Sequence, residues 1–200
     1  MIIGLIGGIA SGKSSAAKAL ESWGAHVIDA DKLGHSAYLK GSPAFHAVVD
    51  TFGADTVGED GEIDRRSLGA KVFGNPDKLK ALTDIVWPAI RALAAAEIKS
   101  LQTQYANAVI VLEAAVLIEA GWQDLVDEIW VVSVDRDTAI ARACARDNVE
   151  PSAVQARIDA QLSNEERLRH AQQVIDNTGS QEQLLVQLKS LWAQIGATNT

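Results

Sequence analysis

Gly7-Gly8-Ile9-Ala10-Ser11-Gly12-Lys13-Ser14 satisfies G-x-x-x-x-G-K-[ST] at every fixed position, between an apolar run of strand length, Ile2 to Ile6, and a helical pattern opening at Lys13. A phosphate-binding loop needs both flanks. Glycines let the backbone wrap closely around phosphate oxygens, and the N–H groups from Gly8, Ile9, Ala10, Ser11 and Gly12 through Ser15, at the helix N-terminus, face the anion. Lys13 brings a cation to the outer phosphates, and Ser14 brings a hydroxyl to Mg²⁺. A phosphate charge about 4 Å from an ammonium gains about 4 kcal/mol at an effective dielectric of about 20, so Lys13 outweighs any exposed lysine. The competing reading, a turn that only joins strand to helix, has both motif and context against it.

Working outward, apolar runs of strand length recur at His26 to Asp29, Ala108 to Leu112, Glu128 to Val134 and Gln173 to Ile175. Helical patterns separate them: Lys13 to Trp23, Pro76 to Ser100 with Pro88 expected to bend it, Asp135 to Arg146, Pro151 to Leu162, and Gln181 to Ile195. This alternation predicts an α/β fold, a mostly parallel sheet covered on both faces with right-handed crossovers. Two stretches interrupt it. Residues 31–100 are nearly all helix and turn, with turn chemistry at Gly41-Ser42-Pro43, Gly53, Asp60-Gly61 and Gly74-Asn75-Pro76, which predicts a helical subdomain. Residues 135–171 are a run of helices suited to a mobile cover, leaving 1–30, 101–134 and 172–200 as the core of a single domain.

The 200 residues are 48% apolar and 22% charged, with 18 basic against 26 acidic side chains and a net charge of −8. Such a composition excludes a disordered chain, and its charge disfavours broad attraction to nucleic acid or to an anionic membrane. Any anionic ligand must meet a locally positive site. Cys144 is the single cysteine, which rules out an internal disulfide and a Cys-rich zinc site. The apolar start has no basic region before it and runs into Ser11, Gly12 and Lys13, unlike a signal peptide, and no apolar run approaches the ~18 residues of a membrane span. The expectation is a cytoplasmic protein, monomeric or weakly oligomeric, with neither nucleic acid nor membrane as partner.

A GTPase would carry a guanine-specifying N-K-x-D late in the chain, and none is present. The D-x-x-G match at Asp31-Lys32-Leu33-Gly34 fixes only two positions and is discounted. Length argues against a motor or multidomain ATPase, which leaves a small metabolite kinase. Its second strand ends in Val27-Ile28-Asp29-Ala30-Asp31, and strand ends in open parallel sheets are where ligands bind. Asp31 is a candidate to accept the proton of an acceptor hydroxyl; equally, Asp29 or Asp31 caps the following helix, and spacing alone favours neither reading. Glu113, after Val109-Ile110-Val111-Leu112, can hold Mg²⁺ through water, hydrogen-bond the acceptor, or pair with a neighbouring base. Six of the nine arginines fall between residues 136 and 169, where there is no lysine. Arg142 and Arg146 stand four apart on one helix face and are the two selected to meet phosphates, which guanidinium forks suit. For Arg136, Arg157, Arg167 and Arg169, six carboxylates in the same stretch favour an ion-paired surface.

An ordered set of segments resembles the dephospho-CoA kinase family over nearly the whole chain. The set comprises GGIASGKS at 7–14, VIDAD at 27–31, GSPA at 41–44, FG at 52–53, DGEIDR at 60–65, VF at 72–73, LTDIVWP at 82–88, LEAAVLIEAGW at 112–122, ARD at 145–147 and VIDNTGS at 174–180. The phosphate loop is shared by many families, whereas the rest together is specific. LTDIVWP and AAVLIEAGWQ look most like the kinase domain of the bifunctional CoA synthase of animals.

The resemblance implies a P-loop NTPase fold of the nucleoside-monophosphate kinase type, with a five-stranded parallel sheet, a helical acceptor-binding subdomain and a lid. It implies transfer of the γ-phosphoryl of ATP, with Mg²⁺, to the ribose 3′-hydroxyl of dephospho-CoA. By position, Asp31 becomes the catalytic carboxylate, Lys13 and Ser14 the phosphate and Mg²⁺ groups, and Arg142 and Arg146 the lid arginines. Asn177, Thr178 and Gly179 line the adenine pocket, and Arg65 and Trp87 belong to the acceptor subdomain. Two departures stand out. Glu113-Ala114-Ala115 replaces the Asp, apolar residue and Pro common in the bacterial family, and Trp87-Pro88 replaces His-Pro. A tryptophan cannot accept a hydrogen bond, so Trp87 either stacks on a base or fills core. A reading from another class, a nucleotide-binding regulatory module without transfer chemistry, shares the loop but has no need of Asp31.

Overall fold

The computed structural model describes residues 1–198. Every residue of strand β1 (Ile2–Ile6) is buried. The reason is its place in the sheet: with β2 (His26–Asp29), β3 (Ile110–Glu113), β4 (Glu128–Ser133) and β5 (Gln173–Asp176), the order is β2-β3-β1-β4-β5, and β1 pairs in parallel with both neighbours. A central parallel strand is covered on both faces, so it reads as a continuous apolar run rather than an alternating one. Gly4 interrupts that run for a packing reason. A Cβ there would lie 2.8 Å from Leu117 Cδ1 and 3.2 Å from Val126 Cγ2, side chains that press on the strand.

Helices α1 (Lys13–Ser22) and α9 (Gln181–Thr198) cover one face of the sheet. Ile3, Leu5, Val111, Trp130, Val132 and Ile175 project from it at every second strand position and join Ala16, Ala17 and Leu20 of α1 and Leu184 and Leu188 of α9 in one buried cluster. Because β3 lies on one side of β1 and β4 on the other, the chain's winding reverses at β1. Open α/β sheets bind ligands outside the strand ends at such a reversal, and residues 7–12 leave the sheet there.

The chain divides into two units, residues 1–28 with 98–200 and residues 29–97. The second unit, expected to span 31–100, holds α2 (Ala30–Ala37), α3 (Pro43–Phe52), α4 (Arg65–Val72) and most of α5 (Pro76–Gln104), with Val48, Leu68, Val72, Val86 and Ile90 buried. Helix α5 continues through Pro88 and runs past the expected end at Ser100. The first unit adds α6 (Arg136–Asp147), α7 (Pro151–Asp159) and α8 (Asn164–Arg169). The periodicity predicts a helix from Pro151 to Leu162; α7 stops earlier, at Asp159, and beyond Leu162 a further short helix, α8, starts anew. Ser163 causes the restart. Its backbone is extended and its hydroxyl accepts from the Glu166 N–H, while Glu166 accepts from the Ser163 N–H, a reciprocal cap that sets a new helix axis. Among the described residues no helix is long and apolar enough to cross a membrane.

Candidate active site

The loop between β1 and α1 needs its glycines for two different reasons. At Gly7 a Cβ would lie 2.7 Å from the Val132 carbonyl oxygen, so the loop leaves the sheet in contact with β4 backbone. Gly12 has φ +92°, and a Cβ there would overlap the Asn177 side-chain amide. Ala10 also adopts positive φ, at 54°, an uncommon conformation for a residue with a Cβ and one found at functional turns. Gly12→Ala combines a disfavoured dihedral with a collision, so a stability loss of about 2 to 4 kcal/mol is expected in denaturant unfolding, together with weakened ATP binding in calorimetry.

Lys13 and Glu113 meet at the end of β3. Lys13 Nζ lies 2.8 Å from Glu113 Oε1, and the Ser14 hydroxyl donates to the same oxygen at 2.6 Å. The two charged side chains are 11% and 8% exposed, so each depends on the other to offset lost hydration. Of the alternatives open for Glu113, pairing with a neighbouring base is realised here, and the base is the loop lysine itself. One carboxylate oxygen thus accepts from both groups assigned to phosphate and metal.

The turn after β5 clamps the loop from its other side. Asn177 Nδ2 donates to the Ser11 carbonyl at 2.7 Å, and the Asn177 backbone N–H donates to the Ser133 carbonyl at 2.8 Å. Arg142, on α6, donates to the Asn177 carbonyl at 2.7 Å and to the Gly179 carbonyl at 3.2 Å. The Thr178 N–H donates to Asp176 Oδ1 and holds that carboxyl below its ordinary value. Arg146 behaves differently from Arg142 despite sharing its helix face. It forms a two-point pair with Asp147, at 2.7 and 3.0 Å, whose hydrogen bonds lower the Asp147 carboxyl and raise the guanidinium.

The sequence neighbourhood of Arg167 predicts an ion-paired surface position, and the structure corrects that expectation. It is 3% exposed, and its Nη1 would lie 3.2 Å from a Cβ on Gly8. Its Nη2 has no hydrogen-bond partner, and the nearest carboxylate oxygen, on Glu119, is 4.0 Å away. Burial pushes the guanidinium below its ordinary value, opposed by Glu119 and Glu166. Ser11 Oγ is likewise buried without a partner. Two unpartnered buried polar atoms thus belong to the loop and to a residue against it, as an anion cradle requires. A sequence signal for α8 exists: Ser163-x-x-Glu166 is a capping-box pattern. Nothing local marks Arg167 as the buried arginine.

Asp31, Arg65 and Trp87 belong to the second unit. Asp29, not Asp31, caps α2: its Oδ1 accepts from the Asp31 N–H at 3.0 Å and the Lys32 N–H at 3.1 Å. Asp31 stands exposed in the first helical turn, where the helix dipole favours a carboxylate. Arg65 is exposed, with its guanidinium carbon 6.0 Å from the Tyr38 ring centroid. Trp87 is half-buried on α5 beside the buried Val86.

The family model described as dephospho-CoA kinase matches residues 1–183. A dephospho-CoA kinase of Geobacter sulfurreducens is 45% identical over 193 residues, covering 96% of this chain and 98% of that protein. One of Symbiobacterium thermophilum is 44% identical over 191 residues, covering 96% of this chain and 80% of that protein. Among solved structures, a protein from Thermus thermophilus superposes with a TM-score of 0.80 at 34% identity over 97% of each chain. The dephospho-CoA kinase of Campylobacter jejuni gives 0.75 at 26% identity, covering 100% of this chain and 98% of that one. A shikimate kinase from Bacteroides thetaiotaomicron, at a TM-score of 0.53 and 12% identity, shares the fold alone. Its phosphate loop is common property, but the likeness runs through both units and nearly end to end in the Geobacter relative, and on that ground the chain belongs to the dephospho-CoA kinase family.

Proposed function

We propose that this chain transfers the γ-phosphoryl group of ATP to the ribose 3′-hydroxyl of dephospho-CoA, giving coenzyme A and ADP. The observation that carries the reading is a phosphate loop at the sheet's reversal point, with Lys13 and two unpartnered buried polar atoms at it, in a member of this family. Backbone N–H groups of residues 8–15 hold the phosphates, and Lys13 exchanges Glu113 for the outer phosphate oxygens. Asn177, Thr178 and Gly179, braced by Arg142, line the adenine side. Arg146 leaves Asp147 to join the lid's contacts, and Arg65 and Trp87 hold the acceptor. Asp31 accepts the proton of the 3′-hydroxyl as its oxygen attacks the γ-phosphorus, the bond to the β-phosphate oxygen breaks, and ADP leaves.

Mg²⁺, when bound, neutralises charge on the β- and γ-phosphate oxygens. Ser14 and Glu113 would hold it, their side-chain oxygens lying 2.6 Å apart beside the loop. One carboxylate with phosphate oxygens and waters is the ligand set Mg²⁺ prefers. A cytoplasmic enzyme, monomeric or weakly associating, fits this reading.

The test is a panel of acceptor alcohols incubated with ATP and Mg²⁺. Dephospho-CoA is expected to yield ADP and coenzyme A in equal amounts, with shikimate, gluconate and nucleosides giving no turnover. Turnover of one of those, and none of dephospho-CoA, overturns the reading; nucleotide binding without any turnover would make the chain a regulatory module instead.

A further inference from the structure

A small cavity of about 300 Å³ lies against the loop, lined by Gly8, Ile9, Gln161, Asn164 and Arg167 among others. Arg167 is its one nearly inaccessible charged side chain, at 3% exposure. The helix that presents it is fixed twice, by the Ser163–Glu166 cap and by Asn164 Nδ2 donating to the Val134 carbonyl at 2.9 Å. A short helix tied at its first turn and set against β4 is a rigid mount. What it delivers is a guanidinium beside Gly8 with an unpartnered Nη2 and a carboxylate no closer than 4.0 Å. A buried charged donor without an acceptor is unfavourable, and proteins keep such groups where a ligand completes them. Arg142 and Arg146 each already place two nitrogens on protein acceptors, the Asn177 and Gly179 carbonyls and the Asp147 carboxylate respectively.

We propose that Arg167 is a ligand of the nucleotide's phosphate chain, its free Nη2 taking a phosphate oxygen held by the loop at Gly8. This rests on the reading of the loop as an ATP site. A charge-assisted bond from a fixed fork is directional, so Arg167 would set the phosphate chain's position in the cradle as well as its affinity.

Arg167→Met removes the fork and charge but keeps an extended side chain of similar reach. The expected result in calorimetry is a rise of about 10- to 100-fold in the Kd of Mg·ATP. The unliganded melting temperature should stay at or above that of the wild type, because a buried guanidinium with no hydrogen bond at Nη2 and only a 4.0 Å ion pair to a partly exposed Glu119 has been replaced by an apolar group. An ATP Kd within about twofold of wild type overturns the proposal. So does a rise in Kd accompanied by a lower unliganded melting temperature in both Arg167→Met and Arg167→Lys, which would make the residue a structural brace. If Arg167→Met does not fold, Arg167→Lys decides: a Kd raised by threefold or more supports the proposal, and an unchanged one sinks it. Wild-type protein that fails to bind ATP would instead defeat the assignment of the loop.

Discussion

Asp31→Asn is expected to lower kcat by roughly 10²- to 10⁴-fold while leaving the Kd of ATP within about twofold of wild type. Asparagine keeps the side chain's shape but cannot take the acceptor's proton. The substitution leaves the cap of α2 in place, since Asp29, not Asp31, receives the first free N–H groups of that helix. Helix content by circular dichroism should therefore be unchanged. Single-turnover transfer to dephospho-CoA beside calorimetry with ATP separates the two quantities. Undiminished turnover would remove Asp31 from the chemistry and return the search for a base to the rest of the second unit.

Lys13→Ala is expected to act on binding, chemistry and stability together. Losing an ammonium about 4 Å from a phosphate forfeits about 4 kcal/mol, or roughly a thousandfold in kcat/KM. The same change strips Glu113 of its cation in a site where the two side chains are 11% and 8% exposed, and breaking a buried pair from one side costs about 3 to 5 kcal/mol. A lower unfolding midpoint should accompany the lost activity. The double variant Lys13→Ala with Glu113→Gln separates these effects, since a neutral amide has no charge left to compensate. Its midpoint should recover while its activity does not. Full activity in Lys13→Ala would be incompatible with transfer at this loop.

The sheet and its loop are legible in sequence because the signals that specify them are local. Ile2 to Ile6 is apolar throughout since it becomes the covered centre of a parallel sheet, and the loop motif is bound to a strand before it and a helix after it. Asp29 and Asp31 are not separable in sequence, because which one caps α2 is decided by backbone angles: Asp29 is extended, at φ −94° and ψ 102°, and Asp31 is already helical. The arginines show a different limit. Arg142 and Arg146 share a helix face, yet one reaches across to Asn177 and the other folds back on Asp147. Arg167 reads as surface because it sits among Glu165, Glu166 and Arg169, and only the packing of α8 against β4 buries it. Periodicity assigns residues to a face of their own helix; it does not say what that face meets.

The Ile9 N–H donates to Gln161 Oε1 at 3.2 Å, and Lys13 and Ser14 both serve Glu113, so these three donors of the cradle are already engaged inside the protein, unlike Ser11 Oγ and Arg167 Nη2. Ligand arrival at these three groups is accordingly a substitution of one acceptor for another, with little net gain in bond number. Discrimination then falls to length: a lone small anion recovers too little to evict both incumbents, whereas a triphosphate displaces them and goes on to make contacts farther along its chain. On the proposed reading, nucleotide that takes the Ile9 N–H would release Gln161, and the segment joining α7 to α8 would lose that tether when the loop is occupied.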